Sequence, residues 1–388
     1  MPETFDFDTE INRRDVPALK VHQLVLGTDG ADLFPAPPPV LNAMTQRLVQ
    51  GLFGYETLSN GIMPALTNWL RTRHNWPVDP DHILCAPNVL NALSMVANLF
   101  TAPGDGIIIQ PLLFFDFQDI FTENRRRVVA NPLILSQGRY QIDFDALETC
   151  AADPRTKMLF LRNLPNPVGR IWAHAELLQL DAICRRTGVL VVVDEIHGDL
   201  TFDGHRYTPF SSLSTADAYN SITCLSPAKS FNIAACCGAF TVVPDPAQRV
   251  AFKFENTRLT VNKNNAFANV TMQAAYTYGA PWLDAVRAYI ARNLALVRNR
   301  LADVPGVTLI QPEGTFLLWL DFRALGLTPD DLTHFLRHNT GGAITRGIVF
   351  GTAGAGFGWL NIACPRARLG AANTALITAL SLHSETAP

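Results

Sequence analysis

The feature that most constrains the fold is a short apolar run that ends in two acidic residues. Val189-Leu-Val-Val-Val193 follows Gly188 and leads directly into Asp194 and Glu195. Such a run, rich in β-branched residues and bounded by a turn residue, is typical of a strand buried on both faces. Similar runs alternate with helical periods, at residues 106–109, 127–130, 158–161, 221–225 and 239–243. This alternation predicts an α/β chain with a mostly parallel sheet between helices.

Two of the predicted strands lead into side chains of opposite charge. Asp194 ends the run at 189–193, and Lys229 follows the run at 221–225. In an open parallel sheet the carboxyl ends of the strands meet at one edge, where ligands bind. Pyridoxal 5′-phosphate (PLP) requires such a pair, because a carboxylate holds a proton on its pyridine nitrogen and an amine forms the Schiff base. The pair therefore predicts a PLP site.

Further polar groups follow the same strand ends. Asn166 lies in Asn163-Leu-Pro-Asn-Pro-Val-Gly169, and because a residue before proline is held extended, we expect its amide to point inward toward the ring oxygen of the cofactor. A phosphate group requires backbone N–H donors at the start of a helix. Asn88 and Val89 open such a helical period, and Ser226 adds a hydroxyl three residues before the lysine.

Composition indicates a globular chain without nucleic-acid or membrane partners. Its 388 residues are 48% hydrophobic and 17% charged, which predicts two lobes and much buried surface, including a subunit interface. A net charge of −3 gives no sign of nucleic-acid binding. Seven cysteines without metal-ligand spacing, and an N-terminus without a basic and apolar leader, are typical of a cytoplasmic protein that binds no metal.

The order of the predicted elements suggests two domains. Residues 1–50 are expected to form an N-terminal arm and part of the small domain, residues 51–278 the large domain, and residues 279–388 a small α+β domain. The small domain would begin with a long helix at 279–301 and continue with strands at 307–310 and 316–320. Further helices are predicted at 40–52, 329–338 and 367–382.

Taken together, these motifs resemble those of a known family. Asn-Pro-Val-Gly, Asp-Glu-Ile-His and Ser-x-x-Lys-Ser-Phe-Asn-Ile occur in the order and spacing of fold-type I PLP enzymes. The chain resembles the class I/II aminotransferases, and within them the cystathionine β-lyase subgroup (MalY/PatB-type C–S lyases). The resemblance implies an aspartate-aminotransferase-like fold with a seven-stranded sheet in the large domain. It covers nearly the whole chain and includes Phe53-Gly-Tyr55, Gly279-Ala-Pro-Trp-Leu-Asp284, Trp319-Leu-Asp321 and Cys364-Pro-Arg366.

The resemblance also implies a role for each matched residue and a homodimer with shared active sites. Lys229 would be the Schiff-base lysine and proton shuttle, and Asp194, supported by His197, would pair with the pyridinium nitrogen. Tyr55 would reach the phosphate bound by the neighbouring subunit. The remaining roles are contact with the ring oxygen by Asn166 and phosphate binding by Ser226, Asn88 and Val89.

Two departures from the family bear on the reaction. Leu113 stands where relatives carry a tyrosine that stacks on the cofactor, so Phe114 or Phe115 would supply the ring contact. Trp359 stands where relatives carry the arginine that binds the substrate α-carboxylate, and an indole cannot form that bidentate contact. Arg346 replaces a proline at the mouth of the site and is the predicted substitute for binding the carboxylate or another anionic group.

The family default is α,β-elimination from a cysteine S-conjugate, here in natural-product biosynthesis. The alternatives are decarboxylation coupled to oxidative deamination, or an aminotransferase-type reaction, on a similar conjugate. Because PLP enzymes cleave the α-bond that lies perpendicular to the ring, loss of the carboxylate anchor makes decarboxylation more plausible here than in a standard relative. A third possibility, a non-catalytic regulator that keeps PLP as a ligand, is disfavoured by the intact Lys229, Asp194 and Asn166.

Overall fold

The fold is built on two main sheets that lie in successive parts of the chain, and residues 134–141 form a separate two-stranded sheet. The computed structural model describes residues 5–8, 34–113, 115–236, 238–263, 265–340 and 344–386. In chain order the strands of this part are β1 (Ile83–Ala86), β2 (Gly106–Ile109), β3 (Arg127–Ala130), β4 (Ile134–Ser136), β5 (Arg139–Gln141), β6 (Thr156–Arg162), β7 (Leu190–Asp194), β8 (Ser221–Leu225), β9 (Ala239–Val242), β10 (Thr308–Leu309), β11 (Leu317–Asp321), β12 (Ile344–Arg346) and β13 (Phe357–Asn361).

The large sheet has seven described strands in the order β1-β9-β8-β7-β6-β2-β3. β9 runs antiparallel to both of its neighbours, and the other neighbouring strands are parallel. All six predicted strands are confirmed, and so is the mostly parallel sheet. β1 was missed, because its four residues are followed at once by Pro87 and lack a clear period.

Helices cover both faces of the large sheet. The described helices are α1 (Pro38–Gln50), α2 (Ile62–His74), α3 (Val89–Phe100), α4 (Phe115–Glu123), α5 (Phe144–Ala152), α6 (His174–Thr187), α7 (Thr215–Tyr219), α8 (Pro246–Arg258), α9 (Ala266–Tyr278), α10 (Ala280–Leu301), α11 (Pro329–Asn339) and α12 (Arg366–Thr386). Alternate residues of β6 face opposite cores: Phe160 packs with α3 and α4, while Leu159 and Leu161 pack with α5 and α6. Burial on both faces explains why these strands are apolar throughout.

The smaller sheet packs beside the large one and has the order β10-β11-β13-β12. β13 was not predicted as a strand, because Gly358 interrupts its apolar pattern. The glycine is required by packing, since a Cβ there would lie 2.7 Å from Ile344 and 2.8 Å from Phe322. The predicted domain limits at residues 50 and 278 stay predictions. In the described part of the arm, the Phe7 and Phe34 rings lie 5.1 Å apart and pack on α10.

A buried carboxylate joins the two sheets. Glu313, just before β11, accepts hydrogen bonds from Arg170 Nε at 3.1 Å and from the Ile171 backbone N–H at 2.7 Å. Arg139 on β5 pairs with its other oxygen at 2.9 Å. Burial works to raise the pKa of Glu313, but the Ile171 hydrogen bond and the Arg170 and Arg139 charges outweigh it and lower the pKa. Gly169 permits this approach, since its φ of +66° and its contact with Pro312 disfavour any side chain.

Removing this carboxylate should cost much of the stability. In Glu313→Ala the guanidinium of Arg170, which is 1% exposed, would lose a main partner in a buried environment. We expect the free energy of unfolding to fall by about 1–3 kcal/mol in urea denaturation. Arg170 keeps its pair with Glu176 at 2.9 Å, but the Ile171 N–H loses its acceptor in a buried place. Glu148→Ala is the matched control, because its ion pair with Arg186 is exposed and such pairs contribute little. Equal effects of the two substitutions would contradict a joining role for Glu313.

Candidate functional site

The predicted cofactor residues meet at the carboxyl edge of the large sheet. The register places Arg162 of β6 beside Asp194 of β7, and Asp194 beside Cys224 of β8. The backbone ladder continues one residue further, with Glu195 N–H donating to the Cys224 carbonyl at 3.0 Å. Lys229 follows β8 in a turn and is half-buried. The residues that follow these three parallel strands therefore lie at the same edge of the sheet.

Asp194 is buried at this edge and has a cation beside it. The Arg162 Nε atom lies 3.7 Å from Asp194 Oδ2, and the two side chains are 4% and 1% exposed. The other carboxylate oxygen, Oδ1, accepts the Ile196 backbone N–H at 3.1 Å. A buried carboxylate held in this way keeps a fixed direction, and its oxygens can receive an N–H donor.

Asp199 holds the turn that carries Lys229 in place through Ser230, the residue after the lysine. This buried carboxylate accepts hydrogen bonds from Ser230 Oγ at 2.8 Å, His74 Nε2 at 2.7 Å and Trp69 Nε1 at 3.0 Å. Burial alone would raise the pKa of Asp199, but the hydrogen bond and charge of His74, then Ser230, bring it below its ordinary value. The residue after the lysine is thereby fixed to α2.

A cavity of about 490 Å³ lies on the Asp199 side of this turn. Its walls include Arg73, His74 and Arg287, and its described lining contains none of the residues predicted to hold the cofactor. Both arginines share the carboxylate of Asp284, and Arg287 also donates to the Thr201 carbonyl at 2.7 Å. These cations are thus already paired. A second, small cavity shares His74 and Asp199 with this one and reaches Ser226 at the end of β8.

The residues predicted to hold the phosphate and the ring oxygen flank the same edge. Asn166 is fully buried, and its bond to Pro167 is cis. Asn88 is the N-cap of α3, where its Oδ1 accepts the Asn91 N–H at 2.8 Å. The N–H groups of the first helical turn, beginning with Val89, have no intrahelical partner. Their position suits an anion, as the sequence predicts.

Ser226 is buried between β8 and the lysine turn. Its hydroxyl donates to the Gly238 carbonyl at 2.7 Å and accepts the Ala228 N–H at 3.2 Å. Both hydrogen bonds hold the start of the turn in place. A contact between Ser226 and a phosphate stays a prediction, and it would require the hydroxyl to rotate.

His197 and Glu195 occupy the loop that follows β7. The ring of His197 is buried and lies 5.9 Å from that of Phe316, next to the small sheet. Glu195 is buried as well and accepts hydrogen bonds from Tyr207, from the Phe210 N–H at 2.8 Å and from Asn163 at 3.1 Å. Burial raises the pKa of Glu195 to about 7, although these hydrogen bonds oppose the shift. The predicted support of Asp194 by His197 stays a prediction.

Trp359 lies within an aromatic cluster on the small sheet. It is 2% exposed, pairs with Trp319 across β11 and β13, and its ring lies 5.4 Å from that of Phe350. Trp319 stacks on Phe357 and donates from Nε1 to Tyr140 Oη of the large domain at 3.2 Å. The Trp359 Nε1 atom is buried without a hydrogen-bond partner among the described residues. This cluster is therefore a buried apolar layer that contains an unsatisfied indole donor.

Arg346, the predicted anion contact, is exposed at the end of β12. The register pairs it with Gly358, which places it on the face of β13 opposite to Trp359. Substrate binding by Arg346 stays a prediction, and this geometry requires the side chain to turn around the end of the strand.

The two remaining predicted contacts that the structure describes, Leu113 and Tyr55, differ in burial. Leu113 is buried and, with Arg162, lines a small cavity beside Pro165. Phe114 lies outside the described residues. Tyr55 is 99% exposed, and the Lys263 ammonium lies 5.3 Å from its ring centroid.

Sequence reasoning missed two of the partners that surround the site. Arg162 is a charged residue at the end of an apolar run. Such a residue indicates that a charged group is buried at that point and needs a partner. The hydrogen bond between Glu195 and Tyr207 joins residues 12 apart across a loop, and no local pattern predicts it.

Because Glu195 is buried, stability should depend on pH. Its folded-state pKa of about 7 exceeds the ordinary value of 4.5, so the folded protein holds the proton more tightly and loses stability as pH rises from 4.5 through 7. Relative to Glu195→Gln, which cannot titrate, wild-type stability in urea denaturation should fall across this window. Exposed Glu123→Gln should show no such trend. A stability difference between wild type and Glu195→Gln that is independent of pH would contradict the shift.

The described residues contain no group of three or more side chains suited to a metal ion, and none of the described helices is long and apolar enough to cross a membrane. A cytoplasmic location stays a prediction.

Comparison with known proteins supports the family suggested by the motifs. The model of the family "Aminotransferase class I and II" matches residues 43–376. Cystathionine beta-lyase PatB of Bacillus subtilis (strain 168) is 39% identical over 337 residues, which cover 87% of each chain. Protein MalY of Escherichia coli (strain K12) is 30% identical over 388 residues, covering 97% of this chain and 99% of the relative.

Solved structures agree. Cystalysin from Treponema denticola, which contains PLP, superposes with a TM-score of 0.92 at 28% identity and covers 98% of this chain and 99% of its own. A PLP-bound C–S lyase from Staphylococcus hominis gives a TM-score of 0.90 at 26% identity, covering 97% and 98%. These matches confirm the predicted fold, cofactor and subgroup. The chain belongs to the class I and II aminotransferase family.

Proposed function

We propose that this chain is a PLP-dependent C–S β-lyase that performs α,β-elimination on a cysteine S-conjugate. The observation that carries the proposal is the meeting of Asp194, Asn166 and the Lys229 turn at one sheet edge. The relatives named above as a cystathionine β-lyase and as a C–S lyase support this reaction over others of the family.

The residues at the edge fit PLP by their chemistry. Asp194 offers a buried carboxylate to the ring nitrogen, and the start of α3 offers N–H groups to the phosphate. When bound, PLP supplies an electron sink for the carbanion that forms at the substrate α-carbon. Asn166 would donate to the ring oxygen, while Ser226 with Asn88 and Val89 would hold the phosphate.

Lys229 carries the proton chemistry in this proposal. Its amine would hold the cofactor and, with a substrate bound, would take the α-proton. Loss of the thiolate from the β-carbon and addition of water then give pyruvate, ammonia and a thiol. The anchor of Ser230 on Asp199 would limit the directions from which Lys229 approaches.

Product analysis tests the reaction. Purified enzyme with a panel of S-substituted cysteines should release pyruvate, ammonia and thiol in equal amounts, without oxygen uptake or CO2. Lys229→Ala should release none of them, while Lys253→Ala, an exposed lysine on α8, should match wild type. Release of CO2 with oxygen uptake, and without free thiol, would contradict elimination. It would indicate the alternative reaction, decarboxylation coupled to oxidative deamination.

The alternative is decarboxylation coupled to oxidative deamination of a similar conjugate. It is favoured by the buried apolar cluster around Trp359 and by the absence of an arginine on that face of β11 and β13 among the described residues. A substrate carboxylate that no arginine holds on that face can place its bond to the α-carbon perpendicular to the cofactor ring. The bond in that orientation is the one that is cleaved. An aminotransferase-type reaction has no such observation in its favour.

Arg346 and Trp359 make separable predictions for substrate binding. If Arg346 binds the substrate anion, Arg346→Ala should lower kcat/KM about thirty- to thousand-fold, equivalent to about 2–4 kcal/mol, with PLP binding unchanged. Trp359→Arg should improve turnover of ordinary amino acids, because it provides a guanidinium for their carboxylate.

The control for Arg346→Ala is Arg337→Ala, which removes an exposed arginine from α11, the helix that precedes β12. If Arg346→Ala is as silent as this control, the substrate anion is bound elsewhere.

We also propose a homodimer with shared active sites. α1 and the loop that follows it expose a row of apolar side chains, with Val49 81% and Leu52 73% exposed. Tyr55 continues this surface and faces away from its own core. An exposed apolar patch of this kind favours contact with a second copy.

Subunit mixing tests the shared site. Inactive Lys229→Ala subunits mixed with inactive Tyr55→Ala subunits should regain partial activity, because one site of each mixed dimer would be intact. Replacing Tyr55→Ala by Tyr219→Ala, which alters an exposed tyrosine on α7, gives a control that should be active without mixing. Failure to regain activity despite confirmed subunit exchange would contradict a shared site.

A further inference from the structure

A buried arginine that the proposed reaction does not use lies beside Asp194. Arg162 is the last residue of β6, and its Nε atom is 3.7 Å from Asp194 Oδ2. Both side chains are almost completely removed from solvent. Water therefore screens this pair little, and the arginine charge acts strongly on the carboxylate.

The fold fixes Arg162 from several directions. Its Nη1 donates to the Asn166 carbonyl at 2.7 Å, and its guanidinium lies 5.0 Å from the ring centroid of Phe117. The Arg162 carbonyl accepts the Trp172 indole N–H at 3.0 Å. The guanidinium thus joins Asp194 to the backbone of Asn166, the two residues proposed to contact the nitrogen and the oxygen of the cofactor ring.

Placed there, the arginine competes for the charge of Asp194. A carboxylate without a cationic partner would direct its full negative charge to an N–H donor on the ring nitrogen. With Arg162 beside Oδ2, part of that charge is balanced before the cofactor binds, so the carboxylate attracts a ring-nitrogen proton less strongly.

We propose that Arg162 is a positioning residue that orients Asp194 together with Asn166 and weakens the hold of Asp194 on the proton of the cofactor's ring nitrogen. This inference rests on the proposed function, because it requires PLP at the strand edge. Its consequence is a cofactor whose electron-withdrawing strength is set by the Arg162–Asp194 pair and not by Asp194 alone.

The ¹⁵N signal of the ring nitrogen tests this directly. Holoenzyme prepared with ¹⁵N-labelled PLP should give a signal that moves toward the protonated value in Arg162→Met, because the carboxylate then acts on the ring alone. Arg170→Met is the matched control, since Arg170 is also buried and lies 4.9 Å from the Trp172 ring but pairs with Glu313. Its signal should stay at the wild-type position. Identical signals in all three proteins would overturn the proposal.

Stability of the apoenzyme provides a second measurement that does not depend on PLP. Arg162→Met should lower the urea midpoint, because it leaves the Asp194 carboxylate buried without this cation. Adding Asp194→Asn to Arg162→Met should recover part of the loss, whereas Arg170→Met combined with Asp194→Asn should show no such recovery. Absence of recovery in the first pair would mean that Arg162 does not act through Asp194, and would overturn the inference.

The two proposals fail in different ways. If labelled PLP does not bind to wild type at all, the proposed function fails. If PLP binds and the ring-nitrogen signal is the same with and without Arg162, the proposed function stands and the role of Arg162 is rejected.

Discussion

The burial of a carboxylate at the carboxyl end of β7 is the constraint on which the site depends. Asp194 is 2% exposed, and a charge in such a place requires hydrogen bonds and cations around it. The Ile196 N–H and Arg162 provide them from the protein. The Ile196 N–H comes from the loop that follows β7, and Arg162 lies beside Asp194 because β6 and β7 are parallel and end side by side.

The site also depends on how the two sheets are held together. Glu313 joins the segment before β11 to Arg170 and Arg139 of the large domain, and Trp319 donates to Tyr140 close by. Burial raises the pKa of Tyr140 to about 12, although the Trp319 hydrogen bond opposes the shift, so its hydroxyl keeps its proton. The cluster of Trp319, Trp359 and Phe350 is thereby held against β5.

The sequence was sufficient for the central strands, because burial on both faces leaves an apolar run that ends abruptly at a polar residue. The roles of the polar residues that follow these strands stay predictions. The sequence was insufficient for β13, where close packing requires Gly358 and weakens the strand pattern. It was also insufficient for contacts between distant segments, such as His74 with Asp199, or Arg162 with Asp194. The face of Arg346 could not be predicted either, because it depends on the register of β12 with β13.

The measurement that tests the central claim most directly is the location of the covalent bond to PLP. Reduction of the yellow holoenzyme with borohydride, followed by digestion and mass spectrometry, identifies the modified lysine. We expect one pyridoxyl adduct, on Lys229, in the turn after β8 that Asp199 holds in place. An adduct on any other lysine, or a protein that binds PLP without a reducible bond, would contradict it.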